Sequence, residues 1–263
     1  MGNWAGQGID ETLSLMMEIG DLLLRVGAET YRVEDTVERV GLAQGMKRVE
    51  VIATATGISV TVEDKMGFIR TQVRRIRIRG ISLSKLEKVN DLSRRLVTSA
   101  ISMDDAHQEV IEIDKKGELY PRFLYFMAAG ISSGAFALLF NANYIEAAVA
   151  FLAGILIHGL RTLTSRWGLT RLTVSFTGGV IAALVGVGAQ ALLKGVQSAD
   201  SVIIGAIMIL VPGVAITNSI RDVIHEDLLS GVARGAEAIL VAIAIAAGVA
   251  LVLGTWLHLG GGV

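Results

Sequence analysis

The chain contains no cysteine. That excludes disulfides, cysteine-ligated zinc and thiol nucleophiles. No His-Glu-x-x-His pattern occurs and no Ser/His pairing stands out, so a hydrolase is disfavoured. Neither enzymatic chemistry nor a cofactor or metal is expected. Net charge is -1, so no overall field recruits nucleic acid. No signal peptide is expected either, because Asp10, Glu11, Glu18 and Asp21 interrupt the first apolar run. Only two prolines are present, Pro121 and Pro212.

Apolar residues are abundant. They make up 52% of the sequence, and mean hydropathy is +0.57, too apolar for an ordinary soluble domain. Charge is confined to one end: 17 of 24 Lys and Arg and 19 of 25 Asp and Glu precede residue 121. The sequence therefore divides into a charged domain, 1–120, and a membrane domain, 121–263. Five uncharged runs in the second domain predict five transmembrane helices at about 122–142, 143–161, 171–194, 201–220 and 236–258. Arg122, Arg161, Arg166, Arg171, Arg221 and Arg234 fall in connections on one side, and Lys194 alone on the other. The positive-inside rule then places the N-terminus in the cytoplasm and the C-terminus outside a multi-pass plasma (inner) membrane. Small residues at Gly130 and Gly134, and at Gly178, Ala182 and Gly186, suit close helix packing in lipid. Gln190 extends the second stripe and offers a pore-lining alternative.

The charged domain reads as α+β. Helices are predicted over 10–26 and 31–44 from apolar spacing, and strands within 49–62 and 68–79 from alternation. A capping box at Ser84 and Glu87 lies in a helix running to about residue 102, and a last helix spans 104–115. Five Arg between Arg70 and Arg79 alternate in part with Ile. That pattern fits a strand with one solvated face, or contact with anionic lipid headgroups. In the stretch 27–36, Glu29, Arg32, Glu34 and Asp35 mix signs at helical spacing. They read either as a capped helix start with surface ion pairs or as a cytoplasmic gate or partner contact.

The stretch LVPGVAITNSIRD, 210–222, ends the fourth apolar run. Proline removes one helical hydrogen bond, and Pro212 falls near the bilayer midplane. Broken midplane helices line substrate sites in many transporters. Pro212, Gly213, Thr217, Asn218, Arg221 and Asp222 are therefore candidates for substrate binding or gating. Arg221 suits a carboxylate. A structural kink with an interfacial Arg–Asp pair is the plain alternative. Glu146 and His158, at opposite ends of the second span, are candidates for proton coupling. Glu146 could equally cap a helix start, and His158 could bond across helices near Arg161.

Two stretches together, GAETYRVEDTVERVGLAQG and LVPGVAITNSIRDVIHEDLLSGVARGAEA, resemble the threonine/serine exporter family. The order of a charged domain before about five spans fits as well. Where relatives show Thr-Pro-Thr, this sequence has Thr54-Ala-Thr56. The resemblance implies a secondary-active exporter of small polar metabolites, either threonine and serine or a dicarboxylate such as succinate. It also implies a second hydrophobic module of about four or five spans, which in some members is a separate subunit. A chain ending at Val263 is expected to be one subunit of such a pair, with the lipid bilayer and an oligomer as its other surroundings. The alternative is a membrane-anchored sensor or regulatory subunit with a cytoplasmic binding domain.

Overall fold

The computed structural model describes residues 4–76, 80–117, 120–164 and 168–260. Arg77, Ile78 and Arg79 of the Arg–Ile alternation, Arg166 of the orienting arginines, and residues 261–263 lie outside the described residues. The chain forms two compact units. One is Met1–Gly117 with Thr217–Gly235, and the other is Glu118–Ile216 with Ala236–Val263. The first unit thus takes in a segment from late in the sequence that hydropathy assigned to the membrane domain.

In the first unit, α1 (Trp4–Arg25) and α2 (Thr30–Ala43) precede an antiparallel sheet of β1 (Arg48–Thr54), β2 (Gly57–Glu63) and β3 (Ile69–Arg75), in the order β1-β2-β3. Then come α3 (Leu83–Val97) and α4 (Met103–Lys115). Helix α1 is the core element: Leu13, Met16, Met17, Leu23 and Leu24 are all buried. They meet Ile58, Val60 and Val62, the alternate inward residues of the central strand. Gly27 ends α1 with φ +97. The N–H of Ala28 reaches back to the Leu23 carbonyl and that of Gly27 to Leu24, a left-handed cap that glycine adopts without a Cβ penalty.

Two local expectations change. Helix α3 is capped by Ser82, whose hydroxyl accepts from the N–H of Lys85, and not by Ser84. Strand β3 stops at Arg75, and it carries no apolar inward face. Its register puts Arg70, Gln72 and Arg74 beside the inward residues Val62, Val60 and Ile58. Arg70 and Arg74 lie 3.4 and 3.9 Å from Asp10 and Asp21 of α1, while Ile69 and Val73 are exposed on the other face.

In the second unit, α5 (Arg122–Leu139), α6 (Tyr144–Thr164), α7 (Arg171–Leu192) and α10 (Leu228–His258, whose first turns belong to the first unit) are long and apolar enough to cross a membrane. Among the described residues these are four, not five. The fourth expected span, 201–220, is not one helix. It divides into α8 (Ala199–Ile207) and α9 (Gly213–Ile224). Residues 208–212 between them are held by turns, with Leu210 N–H on the Ile207 carbonyl and Gly213 N–H on Val211. Pro212 stands one residue before α9, where its missing N–H would have no helical partner anyway. It therefore starts a helix and does not kink one.

The small stripes are packing surfaces. A Cβ on Gly134 would lie 3.0 Å from the Ala147 carbonyl of α6, and one on Gly186 3.1 Å from the Ala199 carbonyl of α8. Backbones approach this closely only where side chains are missing. Gly130-Ile-Ser-Ser-Gly134 also has the spelling Gly-x-Ser-x-Gly. It lies inside α5, whereas that nucleophile motif needs a sharp strand-to-helix turn.

Candidate functional site

The two stretches that carry the family resemblance meet within the first unit. Residues 217–235 form a hairpin of the end of α9, a turn at 225–227 and the start of α10. Its halves cross closely at Gly231, where a Cβ would sit 3.0 Å from the Ser219 carbonyl. Ser219 Oγ donates to the Gly231 carbonyl at 2.6 Å. Asp227 starts α10 by accepting from the N–H of Ser230 at 3.1 Å, as helix N-caps do.

The hairpin docks on the corner between α1 and α2. Asn218 Nδ2 donates to the Gly27 carbonyl at 3.0 Å, and Arg234 Nη2 to the Ala28 carbonyl at 3.1 Å. Both carbonyls lie past the end of α1, in the connection before α2. Asp222 Oδ1 accepts from the Thr30 hydroxyl at 2.9 Å and from its N–H at 3.4 Å. Glu29, the residue at the N-cap of α2, makes no side-chain cap. Asp222 thus supplies the negative group that the N-terminus of α2 favours, from 192 residues away. Arg234 Nε lies 3.2 Å from Asp222 Oδ2. The pair is closed to solvent, Asp222 at 0% and Arg234 at 8% exposure.

Glu29 is also buried, and it receives Arg221 Nη1 at 2.5 Å and Arg32 Nη1 at 3.4 Å. Burial pushes the Glu29 carboxyl up, but its own backbone N–H, Arg221 and Arg32 outweigh that and hold it below the usual range. Glu34 Oε1 accepts from the N–H of Ala53 at 2.8 Å. Burial raises Glu34, the Ala53 bond opposes it, and the charges of Asp227 and Asp222 raise it further. Asp222 is raised by burial, beyond what Arg234 and Thr30 offset. Asp227 is pushed up by burial, yet Thr30, Ser230 and Arg234 bring it below the usual range. Tyr31 and His225 stack with centroids 3.8 Å apart.

Of the residues singled out from sequence, Glu29, Arg32, Glu34, Asn218, Arg221 and Asp222 come together here. Asp35 does not, and pairs with Arg39 in solvent at 2.8 Å. Pro212 and Gly213 lie at the start of α9, and Thr217 is exposed one turn further on. Thr30, Asp227, Ser230 and Arg234 complete the cluster and were missed as site residues. Their signal was present, since all four stand inside the two resembling stretches, but none is conspicuous by spacing alone.

The other candidates lie in the second unit. Glu146 is buried and accepts three backbone N–H bonds, from Asn143 at 2.8 Å, Gln197 at 2.8 Å and Ser198 at 3.0 Å. Asn143 Oδ1 accepts in return from the N–H of Glu146 at 3.0 Å, a reciprocal box that starts α6. His158 lies among rings of α5, with Phe126 edge-on at 4.9 Å and Tyr125 parallel at 6.4 Å. Gln190 Nε2 reaches the Gln197 carbonyl at 3.4 Å.

Comparison with known proteins adds a family. A family model described as "Putative threonine/serine exporter" matches residues 14–256. The chain is 27% identical over 255 residues to the "Probable threonine/serine exporter" of Mycobacterium tuberculosis, covering 94% of this chain and 47% of that protein. It is 28% identical over 236 residues to the "Probable succinate transporter subunit YjjP" of Klebsiella aerogenes, covering 89% and 90%. The "Threonine/serine exporter" of Corynebacterium glutamicum is 26% identical over 246 residues, covering 91% and 50%. The chain therefore spans about half the length of these two threonine/serine exporters and most of the YjjP subunit. No solved structure matches it.

Proposed function

The chain belongs to the threonine/serine exporter family, and from that premise we propose that it is one subunit of a secondary-active exporter of small polar metabolites. The substrates are hydroxy amino acids such as threonine and serine, or a dicarboxylate such as succinate. The partner is a second hydrophobic subunit of about four or five spans. The subunit reading draws on the name and coverage of the YjjP relative. Helix α8 and the first turn of α9, up to Ile216, together make the fifth crossing, broken at 208–212, with the N-terminal domain in the cytoplasm and the C-terminus outside.

The observation that carries this reading is the junction of the two family stretches in one charged interface. Such an interface, made of helix ends and paired charges, suits a gate. We assign Asn218, Arg221, Asp222 and Glu29 to gating, and the break at Pro212–Gly213 to substrate passage. Support for a gate is the Glu29–Arg221 pair, half of which is solvent-accessible, with Arg221 52% and Glu29 6% exposed. Glu146 is assigned to the fold of its loop, given its three backbone bonds.

Efflux of labelled threonine, serine and succinate from loaded vesicles tests the function. The expected result is efflux of at least one of the three when the chain is reconstituted with its partner subunit. Efflux of none, with both proteins folded and inserted, would end this reading. Orientation is checked by thiol labelling, where Leu259→Cys should react from outside and Lys65→Cys should not.

A further inference from the structure

The 217–235 hairpin has two unlike faces. Asn218 and Asp222 of α9 and Arg234 of α10 dock on the α1–α2 corner. At about 100° per residue, Ile220 and Ile224 lie on the far side of α9, and Leu228, Leu229 and Val232 on the far side of α10. These five side chains are 56% to 81% exposed. In each helix the exposed residues stand four apart, at 220 and 224 and at 228 and 232. The helices touch at Ser219 and Gly231, which sets the two rows side by side. All five belong to the charged unit and not to the unit of apolar spans. Contiguous exposed apolar side chains in such a unit mark a contact surface.

The surroundings of this face do not suit lipid. Helices that lie among headgroups carry Lys or Arg beside the apolar face and Trp or Tyr at its edge. Residues 213–237 contain no Lys, Trp, Tyr or Phe. Their two arginines are engaged within the unit, Arg221 with Glu29 and Arg234 with Asp222. The turn that joins the helices carries Glu226 and Asp227, which an anionic leaflet repels. In the two threonine/serine exporters the match covers 47% and 50% of the length. The same module stands there beside a further stretch of comparable length in one polypeptide.

We propose that this face is where the second hydrophobic subunit docks. What it takes is a helical segment with Leu, Ile, Val or Phe toward the five side chains and a Lys or Arg toward Glu226. The inference rests on the two-subunit reading above and says where the subunits meet.

Because the chain has no cysteine, a single introduced cysteine reports its own position. Leu229→Cys and Val232→Cys are made in the full chain and purified in lipid nanodiscs, where both membrane faces are open to a water-soluble maleimide. One preparation holds the chain alone and the other a co-expressed four- or five-span candidate subunit. Alone, both sites should react. With the subunit bound, both should lose most of that labelling, while Val73→Cys on the exposed sheet face keeps it. Leu229→Glu changes a side chain that is 81% exposed, so thermal unfolding of the chain alone should not move. It should cut co-purification of the subunit by about tenfold or more, because the charge is buried only on docking. Sites already closed in the chain alone overturn the proposal: closure reached by a lipid-borne quencher means that lipid covers the face, and closure that rises with chain concentration means a second copy. A subunit that co-purifies while Leu229→Cys stays open and Leu229→Glu has no effect overturns the docking surface and leaves the two-subunit reading standing. A chain with which no such subunit co-purifies, and which exports unaided, ends both.

Discussion

The two units each bury a carboxylate at a helix start, and the two are handled differently. Glu146 is 3% exposed and Asp222 0%. Glu146 is bonded by three backbone N–H groups drawn from its own helix start and from the loop before α8. Both of its oxygens are occupied, and every donor is main chain. Asp222 is bonded by one threonine through a single oxygen, while the other oxygen faces a misaligned arginine. A carboxylate held by backbone cannot change partners without unfolding its helix ends. One held by side chains can, because rotamers, protonation and competing charges are all available to it. The comparison separates a carboxylate that fixes a fold from one that can switch.

The largest effect is expected from Arg234→Ala. It leaves the buried Asp222 without its cation, and removal of one partner of a buried pair costs about 3–5 kcal/mol. Thermal unfolding of the chain in detergent should show it. Asp222→Asn in the same chain, or a lower pH, should recover most of the loss. Full cost without such recovery would make Asp222 as fixed as Glu146 and erase the distinction.

Glu146→Ala comes next, at about 2–3 kcal/mol, because charge-assisted bonds to three backbone donors are lost together. Acidification should not restore this loss, and export per folded molecule should persist. Abolished export in a well-folded Glu146→Ala protein would return Glu146 to the list of proton carriers.

Arg221→Glu should cost about 1–2 kcal/mol, since Arg221 is half exposed but the buried Glu29 then keeps only Arg32 at 3.4 Å. Its effect on efflux should nevertheless be large, because like charges then face each other at the gate. The exchange Glu29→Arg with Arg221→Glu should restore efflux in vesicles. Failure of the exchange, with both proteins assembled, would mean that Arg221 serves substrate and not Glu29.

The smallest stability change is expected for Pro212→Ala, within about 1 kcal/mol. Pro212 precedes α9, so alanine restores no helical hydrogen bond there. A markedly stabilised variant would show that the break at 208–212 is imposed by proline alone.

Much of the architecture was legible beforehand. The 3.6-residue spacing of Leu13, Met16, Met17, Leu23 and Leu24 located α1, and the alternation of Ile58, Val60 and Val62 located β2. Hydropathy located α5, α6 and α7 to within three residues at either end. The misses have physical causes. Ser84 and Ser82 both offer a capping hydroxyl two residues apart, and only backbone geometry chose Ser82. The run 201–220 is uncharged throughout, so hydropathy could not show that Pro212 begins a helix. The segment 217–235 is the subtler miss. Its composition reads as the end of one span and the start of the next, although it folds with a domain whose other members precede residue 118.

The sequence by itself determined what depends on neighbours along the chain: helix and strand periods, the apolar spans, the glycine that ends α1, and the two stretches that mark the family. It also supplied the chemistry of the site, since the Glu, Asp and Arg residues were visible as types. Which carboxylate met which arginine was decided only by the tertiary structure. Glu29 and Arg221 are 192 positions apart, as are Thr30 and Asp222, and Arg221 and Asp222 are adjacent. A shift of one residue in how α9 lies on the α1–α2 corner would turn its contact face by about 100° and part both pairs. Periodicity carries no information about that registration. It is set by the close crossing at Gly231 and by the carbonyls of Gly27 and Ala28, in the α1–α2 connection, that Asn218 and Arg234 satisfy, contacts that exist only once both segments have folded.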